Sequence, residues 1–207
     1  LDHARFQPAV SRSAGRPYVF CVAGSDPTKN VGCLIEGFAK LPEGLRSRFD
    51  LLLAGDVCKR ADVRTAIEHL GIGRHTQLLG LLSDEQLIAR YQQATVFVFP
   101  SLYEGFGLPV LEAMGCGCPV ISSNAASLPE VAGDAALLID PRESGQVTDA
   151  LARLLDSPDL QATLFPKEMK NVLYTGAQLG VGLYMFLVGT TLRLDHFATK
   201  ARSAMSV

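Results

Sequence analysis

Between residue 18 and about residue 156, short apolar runs alternate with stretches in which apolar side chains recur every three or four positions. The runs at 18–23, 50–54, 76–79, 95–99, 120–122 and 136–139 are rich in Val, Leu, Ile and Phe and too short for typical helices, so each predicts a strand. Between them, Val31, Leu34, Ile35 and Phe38 fall at i, i+3, i+4 and i+7, and Leu87, Ile88 and Tyr91 repeat part of that spacing. Ser83, followed three residues later by Gln86, forms a capping box ahead of the second of these helices. A further helix is expected over 144–156, with Val147, Leu151, Leu154 and Leu155 on one side. Strands that are apolar along their whole length need cover on both faces, and the intervening helices supply it. The expectation is an α/β fold with a doubly wound parallel sheet. Ligands of such sheets bind at the carboxyl ends of the strands, which directs attention to the turns after residues 23, 54, 79, 99 and 122.

The pattern changes after Pro158. Residues 167–170 are charged, and 171–192 then run for 22 positions without a charge. As a helix that stretch measures about 33 Å, enough to cross a bilayer core. Lys167 and Lys170 flank one end, and Arg193, Lys200 and Arg202 the other. Gly176 and Gly180 make a small-xxx-small pair suited to close helix packing. The tail therefore predicts one long hydrophobic, membrane-spanning helix, the alternative being a buried helix that closes the domain.

Composition narrows the function. A chain of 207 residues suffices for one ordinary domain, and a net charge of −2 gives no electrostatic footprint for nucleic acid. Any phosphate binding must then arise from local geometry. Cys21, Cys33, Cys58, Cys116 and Cys118 form an odd set beside apolar positions, which reads as reduced, buried thiols. Cys116-Gly-Cys118 lacks a second pair or nearby histidines, so it is not read as a metal site. No Asp-x-Asp pair occurs, and no metal or other cofactor is expected. The first sixteen residues lack the apolar core of a signal peptide, and the chain does not start with Met, as expected of a segment from inside a longer protein or of a processed chain.

The most informative segment is Ser101-Leu-Tyr-Glu104-Gly-Phe-Gly-Leu-Pro-Val-Leu-Glu112. It leaves a predicted strand, passes a glycine-rich turn and opens into a helical pattern at Pro109. Strand, turn and helix N-terminus together make an anion site, because unpaired N–H groups and the helix dipole converge there. Glu104 stands before the turn and Glu112 in the expected first helical turn, where an acidic residue is also favourable for the helix alone. Two carboxylates beside an anion site suit a ligand that is anionic in one part and rich in hydroxyls in another. Lys29 lies where another predicted strand gives way to a helix, a place for a cation beside that anion.

Three segments carry a family resemblance: Val22-Ala-Gly-Ser-Asp-Pro-Thr-Lys29-Asn30, the segment from Ser101 to Met114, and Ser127-Leu-Pro-Glu130-Val-Ala-Gly-Asp. In order and spacing they resemble the donor-binding, C-terminal half of a family 4 glycosyltransferase of GT-B architecture, whose domain is Rossmann-like. The resemblance implies a retaining, metal-independent transfer of a sugar from a nucleotide-diphospho-sugar to a glycan or lipid-linked acceptor. It implies catalytic roles for Glu104, near the reacting carbon, and for Lys29, at the leaving diphosphate. Donor binding would fall to Gly24, to Gly105, Phe106, Gly107 and Leu108, to Glu112 at the ribose, to Glu130, and to Leu81 in the loop facing the base. Many members carry an Arg a few residues before the Lys; Ser25 and Thr28 occupy those positions here. Residues 164–207 resemble a transmembrane segment of monovalent cation:proton antiporters, which leaves a membrane fragment fused to a non-catalytic nucleotide-sugar module as the alternative. The expected organisation is a linker over 1–16, the nucleotide-sugar domain over 17–160 and the hydrophobic tail over 161–207. An N-terminal acceptor domain is the expected partner, and the expected location is the cytoplasmic face of a membrane, or the cytoplasm if the tail does not insert.

Overall fold

The computed structural model describes residues 5–9 and 15–157. The chain divides into two units, Leu1–Lys170 and Asn171–Val207, and every described residue belongs to the first. The helix expected over 171–192 lies outside the described residues; among the described residues no helix is long and apolar enough to cross a membrane.

Six strands form one parallel sheet: β1 (Tyr18–Val22), β2 (Asp50–Ala54), β3 (Thr76–Gly80), β4 (Val96–Phe99), β5 (Val120–Ser123) and β6 (Ala136–Ile139), in the order β3-β2-β1-β4-β5-β6. All six predicted strands are present, with ends shifted by at most one residue. Seven α-helices accompany them among the described residues: α1 (Val31–Ala39), α2 (Glu43–Arg46), α3 (Ala61–His69), α4 (Asp84–Gln93), α5 (Leu108–Gly115), α6 (Leu128–Ala132) and, after the last strand, α7 (Ser144–Asp156). The capping box at α4 forms in both directions: Ser83 Oγ accepts from the Gln86 N–H, and the Gln86 side chain accepts from the Ser83 N–H. α3 has no counterpart among the predicted helices, because only Val63 and Ile67 are buried along its nine residues and the periodic signal is thin.

Alternation along each strand sorts the core into two layers. Val19, Cys21, Leu51, Leu53, Val96, Val98 and Ile121 join Leu34, Ile35, Phe38, Val147, Leu151 and Leu154 of α1 and α7 in one cluster. The intervening residues point the other way. There Phe20, Tyr91 and Phe97 pack in edge and tilted contacts, with centroids 5.1–6.0 Å apart. Tyr91 of α4 is fully buried, so this aromatic cluster clamps α4 to the centre of the sheet. All five cysteines are buried free thiols, in line with the sequence reading. Burial pushes the thiols of Cys21 and Cys116 up to about 12, so they stay protonated and inert near neutral pH.

The strand order reverses direction between β1 and β4. Chain leaving β1 turns toward α1 on one face, and chain leaving β4 turns toward α5 on the other, opening a crevice at the carboxyl edge. Gly107 is the N-cap of α5 and sits at φ +84°, and a Cβ there would lie 2.4 Å from Leu128 Cδ2. The left-handed backbone favours glycine at the point where α5 starts, and a Cβ there would also have to displace the Leu128 side chain of α6.

Gly107→Ala is therefore expected to lower the unfolding free energy by about 2–4 kcal/mol, summing left-handed strain and overpacking. Urea denaturation followed by circular dichroism checks this; a loss below about 0.5 kcal/mol would show that the turn relaxes freely.

Candidate functional site at the carboxyl edge of the sheet

The turn after β1 is built by side-chain capping. Asp26 accepts a hydrogen bond from the Thr28 N–H at 2.8 Å and starts the short 3₁₀ turn Pro27–Lys29. That backbone hydrogen bond also holds the exposed Asp26 carboxyl below its usual range. Asn30 closes the turn in the left-handed region, φ 53° and ψ 37°. Its amide nitrogen donates to the carbonyls of Pro100 (3.1 Å) and Pro141 (2.6 Å), tying the ends of three strands together. The Leu102 N–H donates to Thr28 O at 2.8 Å, a direct backbone link between the turns after β1 and β4.

Across this link Lys29 meets Glu104. Lys29 Nζ lies 2.8 Å from Glu104 Oε1, with the two side chains 26% and 11% exposed. Ser101 Oγ donates to the same oxygen at 2.6 Å. The Glu104 carbonyl accepts from Ser127 Oγ at 3.1 Å, which fastens the loop to the start of α6. Both donors occupy Oε1, and no donor among the described residues meets Oε2. Beyond Glu104, no acceptor among the described residues meets the N–H groups of Gly105, Phe106, Gly107 and Leu108, so the turn and the start of α5 carry donors free of protein partners.

Glu112 differs from its expected placement. α5 begins at Leu108, one residue before the helical pattern suggested, with Pro109 as its second residue. Glu112 is thus the fifth residue, in the second turn, and no acidic residue stands in the first. Favourable interaction with the helix dipole fades beyond the first turn and does not account for a carboxylate here. Glu112 is half-buried and accepts from Tyr91 Oη at 3.1 Å through Oε2. Desolvation raises its pKa, and the Tyr91 hydrogen bond offsets part of that rise. The Tyr91 phenol is pushed well up by burial and by the neighbouring carboxylate.

The remaining candidates sit at the same edge but are not joined to this pair. Gly24 is exposed, and a Cβ there would meet nothing within 4 Å. Leu81 follows β3 and is 68% exposed. Glu130 is the third residue of α6 and is exposed. No hydrogen bond or ion pair among the described residues links these three to Lys29, Glu104 or Glu112. Sequence reasoning overlooked Ser101, Asn30 and Tyr91. Ser101 and Asn30 stand inside the quoted motifs, whereas Tyr91 fitted an ordinary apolar helix position.

The fold and site together define a doubly wound α/β domain with a lysine–carboxylate pair where its strand order reverses. The chain belongs to the Glycosyl transferases group 1 family, whose sequence model matches residues 4–170. The O-antigen chain mannosyltransferase B of Escherichia coli is 42% identical over 131 residues, covering 63% of this chain and 34% of that protein. Sucrose-phosphate synthase from Thermosynechococcus elongatus superposes with a TM-score of 0.74 at 27% identity, over 92% of this chain and 52% of that one. Anabaena HepE, solved in complex with UDP and glucose, shares the fold with a TM-score of 0.72 at 20% identity, over 93% of this chain and 55% of that one. The chain thus spans about a third of the curated relative and about half of each structure.

Because the carboxyl of Glu112 has a raised pKa when folded, its ionised form costs stability at neutral pH. That cost disappears as the pH falls through the folded pKa toward the unfolded value of about 4.3. Glu112→Gln keeps an acceptor for Tyr91 and removes the charge. It is expected to raise the melting temperature at pH 7–8, with the gain shrinking to nothing near pH 4. Thermal unfolding across that range is the check, and a gain independent of pH would contradict the assignment.

Proposed function

We propose that this chain is the donor-binding half of a retaining, metal-independent glycosyltransferase that takes a sugar from a nucleotide-diphospho-sugar and passes it to a glycan or lipid-linked acceptor. The observation that carries the reading is the Lys29–Glu104 pair set at the β1/β4 switch point, with the open N–H groups of 105–108 beside it. The diphosphate binds against those N–H groups and Lys29. Glu104 Oε2, with both lone pairs unused, accepts from hydroxyls of the donor sugar and faces the positive charge that grows at its anomeric carbon. Glu112 takes the ribose diol, the exposed backbone at Gly80 and Leu81 faces the base, and Gly24 lets the ligand approach the turn after β1. Glu130 borders the donor side from α6.

As the anomeric C–O bond breaks, negative charge builds on the leaving diphosphate. Lys29 and the N-terminus of α5 meet that charge where a divalent ion would serve in other transferases. Retention follows if the acceptor attacks from the face the diphosphate leaves, with its proton passing to a departing phosphate oxygen. UDP and glucose on HepE support a nucleotide sugar, and the Escherichia coli mannosyltransferase supports mannose among the donors to be tried. The acceptor site belongs to the part of the GT-B fold that the matches do not cover. The family match ends at residue 170, just before the uncharged run 171–192, and that run is proposed as a contact with the cytoplasmic face of a membrane.

Titration calorimetry with UDP, GDP, UDP-glucose and GDP-mannose tests the reading. One nucleotide series is expected to bind. Lys29→Ala should weaken the diphosphate and the nucleotide sugar alike, by about tenfold or more, as loss of a charge-assisted contact requires. If none of the four ligands binds the unaltered chain, the donor-site reading fails.

A further inference from the structure

Ser101 is fully buried two residues past β4, one of four buried polar residues among the described residues, with Thr95, Ser122 and Ser123. Buried hydroxyls usually serve the backbone, as Ser123 does in accepting from the Ala125 N–H at 3.0 Å. Ser101 has no such duty. Asn30 satisfies the Pro100 carbonyl, Thr28 takes the Leu102 N–H, and α5 is capped by Gly107 without a side-chain bond. Its hydroxyl is spent on Glu104 Oε1 at 2.6 Å, the oxygen that Lys29 also contacts at 2.8 Å.

We infer that Ser101 is a positioning residue for the sugar-binding carboxylate: with Lys29 it fills both lone pairs of Glu104 Oε1 and aims Oε2 at the donor sugar. The inference rests on the donor-site reading above and deepens it. Lys29 alone cannot do this work, because it is also the cation that a bound diphosphate attracts. When a ligand draws Lys29 toward its phosphates, Ser101 becomes the donor that keeps the carboxylate rotamer. The bond is short, its donor is fully buried just past β4, and the Ser127 contact to the Glu104 carbonyl holds the backbone that carries the side chain. The division of labour is specific. Lys29 answers to the phosphates, Ser101 to the carboxylate, and Oε2 to the sugar.

The test compares two ligands on the full chain by calorimetry: a nucleoside diphosphate, and the same nucleotide carrying its sugar. Ser101→Ala is expected to weaken the nucleotide sugar about tenfold, the size of one hydrogen bond to a charged group, while the diphosphate affinity stays within about twofold. In an E104A background, S101A should have no further effect on either ligand. The diphosphate affinity and the melting temperature report whether S101A still folds. Equal weakening of both ligands would reassign Ser101 to general support of the loop, and an unchanged nucleotide-sugar affinity would remove the role; either overturns the inference. Failure of the unaltered chain to bind any nucleotide sugar would overturn the donor-site reading, and this inference with it.

Discussion

Parallel pairing of β1 with β4 at the centre of the sheet is the constraint on which the site depends. These strands are neighbours in space but far apart in sequence, and their following turns diverge to opposite faces. Only at such a reversal do two loops stand side by side with no helix covering the gap. Residues 75 positions apart, Lys29 and Glu104, reach 2.8 Å because the pairing of Val19 with Val96 and Phe20 with Phe97 sets the register beneath them. Both layers of the core serve that register, and the Phe20–Tyr91–Phe97 cluster anchors it from the α4 side.

The two glutamates of the motif occupy different electrostatic environments although eight positions separate them. Glu104 is paired with a cation and a hydroxyl on one oxygen. Glu112 has no cation partner among the described residues, is half-buried, and leans on one phenol. Its carboxylate is thus held at a cost in stability, at a helix position that gives it no dipole benefit. The same fully buried Tyr91 ring that clamps α4 to the sheet carries the hydroxyl that orients Glu112, so core packing and site geometry share one side chain.

Small polar groups tie the turns at this edge together. Asn30 gathers the ends of β1, β4 and β6 through one amide, and Asp26, Ser101 and Ser127 each place a single bond at a turn. The crevice still exposes apolar side chains: Leu81, Leu102, Tyr103 and Leu108 all lie on loops or the helix start at this edge.

Apolar runs and helical spacing by themselves determined the six strands, the helices α1, α4 and α7 and the parallel architecture, because burial on both faces leaves a signature in local composition. The capping box at Ser83 and the motif carboxylates were equally legible, since capping and turn chemistry act within a few residues. α3 escaped notice because two buried residues in nine make a faint period. Only the tertiary structure decided which residues meet. Ser101 and Asn30 look like ordinary loop residues, and Tyr91 like ordinary core, until strand order brings Glu104, Pro141 and Glu112 within their reach. Strand order is a property of long-range pairing, and nothing in a short window of sequence encodes it.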